Sequence, residues 1–171
     1  TQLEDDSGVL SSADAFSVEA PTVGQNGDHA FLCWRELDIG DGDTLPWTPH
    51  CSRKTDSGWV GIDFAGRDQV SPWWNPSVEV DADGRLWMAF VDLPTGIVAR
   101  TTDPAQQVRL IRWEDGRGWE GVDDGAGDFS LATWPALALD DGQISWVAYG
   151  TADPVSTDRT SRHIRVQKVA W

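Results

Sequence analysis

The same succession of anchors recurs three times along this chain. The first anchor is a proline, a turn glycine and then an apolar-aromatic run. It reads Pro21-Thr22-Val23…Gly27…Ala30-Phe31-Leu32-Cys33-Trp34, then Pro76-Ser77-Val78…Gly84…Leu86-Trp87-Met88-Ala89-Phe90, then Pro135-Ala136-Leu137…Gly142…Ile144-Ser145-Trp146-Val147-Ala148-Tyr149. The three prolines stand 55 and 59 residues apart. The second anchor is an arginine in an apolar run with a tryptophan six or seven residues on: Arg53 and Trp59, Arg112 and Trp119, Arg165 and Trp171. The third is Gly-apolar ahead of the next proline, at Gly8-Val9, Gly61-Ile62 and Gly121-Val122.

Within each repeat polarity alternates with period two and breaks at Asp-Gly turns, most clearly from Asn75 to Trp119. That pattern is the mark of β-strands joined by hairpins. Four short strands per repeat at this period predict an all-β fold of three four-stranded antiparallel β-propeller-type blades. Three unrelated hairpins in a β-sandwich share the strand content and form the alternative. By length the 171 residues make one domain, with a real core. The repeats run approximately over residues 13–64, 65–124 and 125–171.

The repeats do not start and stop at the chain ends. The first two run on through Trp59-Val60-Gly61-Ile62 and Trp119-Glu120-Gly121-Val122, and Gly8-Val9-Leu10 carries the pattern that would follow Trp171. Residues 6–12 are thus expected to act as a complementing outer strand. Three blades are fewer than the usual ring of about 4–8. The expectation is a half-propeller completed by a second copy, as a homodimer of six blades, or by additional propeller chain.

Tryptophan dominates the composition, with eleven residues. Each brings a large buried area. Trp87 and Trp146, in mid-strand, are expected in the core, and Trp34, Trp59, Trp119 and Trp171 recur at blade positions. Trp47, Trp73, Trp74 and Trp134 lie in or beside loops. The net charge of −15 argues against nucleic acid and anionic membranes, which call for basic footprints. No apolar run reaches transmembrane length and no signal peptide is present in these residues.

Cys33 and Cys51 are the only cysteines. They fall on strands expected to be neighbours, so a cross-strand disulfide is predicted. An even count in a loop-rich β chain points to a secreted or extracellular protein.

Chemistry-bearing motifs are sparse. Asp38, Asp41 and Asp43 make the densest carboxylate cluster, which can offer oxygen ligands to calcium or simply form a solvated hairpin loop. No other cofactor is expected. His29, His50 and His163 form no metal-ligand spacing. Thr1 shares its type with N-terminal nucleophiles but lacks an identifiable base. The connections between repeats offer more. Asp14, Asp68 and Asp128 recur ahead of the prolines, and Trp73, Trp74 and Trp134 stand just before Pro76 and Pro135. With Arg53, Arg112 and Arg165, they supply an aromatic face and polar donors, the usual means of holding a sugar ring. The same Asp and Ser residues also suit capping of a tight connection.

Arg112-Trp113-Glu114-Asp115-Gly116-Arg117-Gly118-Trp119 resembles the Trp-Asp-Gly-x-Gly-Trp strand-turn-strand of the small fucose-binding propeller lectins. His163-Ile164-Arg165-Val166 is similar to their Ile-Arg-Val strand, whose Arg contacts the sugar. The likeness covers the last two strands of each unit. The position of that family's sugar-binding Glu is Ile111 here, and the units are longer. The resemblance implies a carbohydrate-binding module without catalysis, with a glycan or glycoprotein as partner. A structural or protein-interaction propeller, or a fragment of a larger secreted protein, is the second reading. A glycoside hydrolase propeller part is the third, since paired carboxylates could serve that chemistry. Of the sialidase box only echoes remain, at Asp56-Ser57-Gly58-Trp59 and Asp115-Gly116-Arg117-Gly118-Trp119.

Overall fold

The computed structural model describes residues 15–38, 47–62, 76–92, 107–121, 132–140, 144–152 and 162–170. These form three antiparallel sheets in chain order. The first holds β1 (Ala15–Asn26), β2 (His29–Asp38), β3 (Trp47–Thr55) and β4 (Gly58–Ile62). The second holds β5 (Ser77–Val80), β6 (Leu86–Asp92), β7 (Gln107–Glu114) and β8 (Gly118–Gly121). The third holds β9 (Ala132–Asp140), β10 (Ile144–Ala152) and β11 (Arg162–Ala170). Each sheet is a meander, every strand pairing with the next in sequence. The segment 6–12, expected as a complementing strand, lies outside the described residues.

Turn chemistry sets the hairpins. Gly84 (φ 78°), Gly116 (φ 77°) and Gly118 (φ 80°) take left-handed backbone, which costs a residue without Cβ little. At β5–β6 the turn is also held by a side chain. Asp81 accepts from the backbone N–H groups of Asp83 (3.0 Å) and Arg85 (2.9 Å), from Arg85 Nε (2.8 Å) and from the Trp87 indole (2.8 Å). Pro49 stands opposite Arg35 of β2 but beyond the end of the β3–β4 register at Cys51 with Ile62, so its missing donor breaks no ladder on the β4 side.

The sheets stack face to face, and their first strands lie side by side. Asn26 Nδ2 donates to the Val80 carbonyl at 3.2 Å, joining β1 to β5. The Leu137 N–H donates to Ser77 Oγ at 2.9 Å, joining β9 to β5. A Cβ on Gly24 would stand 3.1 Å from a Val80 methyl, which is how close β1 and β5 approach.

Two cores fill the gaps. Phe31, Cys33, Cys51 and Ile62 of the first sheet meet Val78, Val80, Leu86, Met88, Phe90, Ile111 and Trp113 of the second. Trp87, Ala89, Val91, Val108 and Leu110, on the other face of the second sheet, meet Leu137, Val147, Tyr149 and Val169 of the third. The second sheet is therefore apolar on both faces, because it is covered on both. Cys33 and Cys51 stand opposite each other in the β2–β3 register with Cα atoms 4.1 Å apart, and they are bonded.

Two expectations need correction. Trp146 is not a core residue but is 40% exposed, because it points from the face of the third sheet that no described strand covers. The neighbouring Val147, with alternate orientation, is the buried one at 1%. Nor is Arg165 the register counterpart of Arg53 and Arg112. Those two stand opposite Phe31 and Trp87, the first aromatic of each run. In the third sheet the residue opposite Trp146 is Lys168, while Arg165 pairs with Tyr149.

Candidate functional site

The aromatic–cation row just defined is a built feature of each sheet. Phe31 faces Arg53, Trp87 faces Arg112, and Trp146 faces Lys168 across the second and third strands. The Arg112 guanidinium lies 5.5 Å from the Trp87 ring centroid and reaches Glu120 at 2.5 Å. The Lys168 ammonium lies 5.5 Å from the Trp146 ring. Arg53 instead reaches across to the second sheet, 5.4 Å over Trp113 and 2.5 Å from Asp115. Such contacts contribute up to about 1 kcal/mol each where solvent reaches them. Their main effect here is to hold charged heads in defined places.

Arg53 opens onto a cleft of about 260 Å3 between the first two sheets, at the end where β1–β2, β3–β4, β5–β6 and β7–β8 turn. Its floor is aromatic, with Phe31 edge-on to Trp113 at 5.7 Å between centroids. Around that floor stand His29, Arg53 and Arg85, together with Asp83, Glu114 and Asp115. Arg85 is anchored on Asp81 and Asp83. His29 packs on Gly84, where a Cβ would come within 2.7 Å of the imidazole. The cleft therefore brings cationic donors and carboxylate acceptors together beside two aromatic rings. Its volume is near the lower end of the roughly 300–1,000 Å3 usual for small-molecule sites, enough for one ring rather than a long chain.

Three further carboxylates stand out. Glu79, on β5, is half-buried, and burial raises its pKa above the ordinary carboxylate value. The hydrogen bond from Arg112, and then its charge, lower the pKa of the exposed Glu120. Glu36 is fully buried, accepts from the Trp34 indole at 2.8 Å and lies 3.5 Å from His50 Nε2. The Trp34 and His50 rings stack with centroids 5.7 Å apart.

Of the residues proposed from the sequence, Arg53 lies in the cleft and Arg112 lies on the opposite face of the second sheet, toward the third. They do not share a site. Trp134 lies on β9 and Arg165 on β11, by backbone. Trp73, Trp74, Asp68, Asp128, Asp41 and Asp43 lie outside the described residues, and Asp38 is only the last residue of β2. Among the described residues no group of three His, Cys, Asp or Glu side chains is placed to hold a metal ion. Sequence reasoning missed the cleft residues His29, Asp83 and Arg85. The available signal was the pair of β1–β2 and β5–β6 turns at matching repeat positions, which meet only when neighbouring sheets stack.

No protein-family model matches the chain, and no curated protein matches it. Solved structures do resemble it. A glycosyl hydrolase from Bacteroides ovatus aligns with a TM-score of 0.49 at 10% identity, over 77% of this chain and 43% of that one. A Bombyx mori GH32 beta-fructofuranosidase mutant in complex with sucrose aligns with a TM-score of 0.48 at 15% identity, over 85% and 32%. A BT0996 RGII complex aligns with a TM-score of 0.50 at 14% identity, over 94% and 55%. This chain thus spans 43%, 32% and 55% of the lengths of these solved chains. The BT0996 RGII complex has a propeller-type fold, in keeping with three successive antiparallel sheets stacked on their first strands.

Proposed function

We propose that the chain is a carbohydrate-binding propeller module that holds its ligand without catalysis, and that the cleft between the first two sheets is its site. The observation that carries this reading is the cleft itself. The guanidinium groups of Arg53 and Arg85 and the carboxylates of Asp83, Glu114 and Asp115 surround the Phe31–Trp113 floor. Fixed donors and acceptors gathered at one opening suit the hydroxyls of a sugar, over rings that are 2% (Phe31) and 9% (Trp113) exposed. Arg53 and Trp113 also sit on the strands whose sequence resembles the fucose-binding lectins. The partner is then a glycan or glycoprotein. The disulfide supports a secreted or extracellular setting. The three sheets form part of a ring completed by further blades, a reading supported by the propeller-type fold of the BT0996 RGII complex.

A second reading, a glycoside hydrolase propeller part, is favoured by Glu79. A first-strand carboxyl whose pKa burial raises is suited to general-acid work.

Glycan-array screening followed by calorimetric titration of the best hit tests the first reading. Arg53→Ala is expected to weaken binding by about tenfold, the scale of one charged hydrogen bond lost. Its melting temperature should stay within a few degrees of the parent, since the Arg53–Asp115 pair is solvent-exposed. No hit, or a hit indifferent to Arg53, refutes the cleft assignment. Turnover of a chromogenic glycoside, abolished by Glu79→Gln, would select the hydrolase reading instead.

A further inference from the structure

The third sheet has one covered face and one that no described strand covers, and this second face repeats the chemistry of a covered one. In the second sheet the face toward the third carries Trp87, Ala89 and Val91 on β6, with Arg112, Leu110 and Val108 opposite them on β7. Its apolar members are all buried, from 0% to 4% exposed. At the same register the third sheet carries Trp146, Ala148 and Gly150 on β10, with Lys168, Val166 and Ile164 opposite on β11. Here Trp146 is 40% exposed, Val166 62% and Ile164 82%. Scattered exposed apolar residues are ordinary, but three large ones in adjacent register on one face mark an interaction surface.

Charge identifies the occupant. Arg53, opposite Phe31, crosses the gap between sheets to Asp115 in the β7–β8 turn of its neighbour. Lys168, opposite Trp146, is its register counterpart on the third sheet. The counterpart of Asp115 on the first sheet is Asp56. Arg112 pairs with Trp87 just as Arg53 pairs with Phe31, and Asp115 and Asp56 each follow three residues later, in the turn. On its face away from the second sheet the first sheet has exposed valines along β1, Val18 at 47% and Val23 at 64%, while Trp34, Glu36 and Ser52 on β2 and β3 are already buried there. We infer that the Trp146 face of the third sheet docks on that face of the first sheet in a second copy of this chain, with Lys168 reaching Asp56 of that copy. A two-fold operator makes this contact twice and joins six sheets in one ring. The inference does not depend on the ligand of the cleft, which lies between the first two sheets of one copy.

Sedimentation and light scattering on the intact chain at micromolar concentration test it by charge reversal. The parent is expected to be a dimer. Lys168→Glu alone and Asp56→Lys alone each place like charges at both contacts, and each is expected to raise the dimer dissociation constant at least about tenfold. Mixing the two variants restores opposite charges across the interface, so a heterodimer tighter than either variant homodimer is expected. Lys168, Asp56 and Trp146 all lie at the surface of one copy, so melting curves of the monomeric variants serve as the folding control. A monomeric parent chain overturns the inference. So does a dimer indifferent to both reversals and to Trp146→Glu, or a mixture that fails to reassociate.

Discussion

Asp81 is 3% exposed and carries two backbone amides, one guanidinium and one indole on its two oxygens. Its replacement by Ala takes an acceptor from the buried Trp87 indole, from two backbone amides and from the half-buried Arg85. A loss of about 3 kcal/mol or more is expected from those unmet donors, read as a fall in the urea midpoint. The run Asp81-Ala82-Asp83-Gly84 was legible as a hairpin turn, and Gly84 does take positive φ. That Asp81 turns inward was not, because a turn carboxylate and a core carboxylate look alike in one dimension. The same holds for Glu36, an ordinary charge in a strand until Trp34 is seen to donate to it. Glu79 and Glu120 give opposite pH signatures. Burial raises the Glu79 pKa in the fold, so its stabilising share exists only below the unfolded value and is lost as pH rises through the folded one. Arg112 lowers the Glu120 pKa, so its share is present above the unfolded value and lost as pH falls through the folded one. Glu79→Gln is therefore expected to raise stability at neutral pH and to remove the gain on acidification. Urea midpoints of parent and variant, compared between about pH 7 and about pH 4, check both signs.

At the scale of strands, alternation and turn residues located the described hairpins, because both are local properties. The Cys33–Cys51 bond followed from placing the two residues on neighbouring strands, and the register puts them directly opposite. Titration of the denatured, unreduced chain should find no reactive thiol. Replacing both cysteines by Ser is expected to cost about 3 kcal/mol, the chain-entropy value for a loop of this length. Which face of a strand is covered was beyond the sequence. Trp87 and Trp146 hold the same place in their runs, yet one is 2% and the other 40% exposed. Only the neighbouring sheet decides between them. The arginine anchor failed on the third sheet for a related reason, since Lys168 does there what Arg112 does on the second.

For the molecule as a whole, the repeat order translated directly into three stacked sheets whose first strands lie together. The cleft was not foreseen as a unit. Arg53 and Asp115 are 62 residues apart and meet only through stacking of the first two sheets. The central claim is that this meeting place takes a sugar, and the eleven indole N–H signals of the chain offer a direct test. Titration of the best array hit into 15N-labelled protein, followed in assigned indole and arginine side-chain spectra, should move Trp113, Arg53 and Arg85 in step with the binding isotherm. It should leave Trp146, on the far face of the third sheet, unmoved at constant association state. Shifts confined to Trp73, Trp74 and Trp134, or saturation with Trp113 and Arg53 unchanged, would contradict the account.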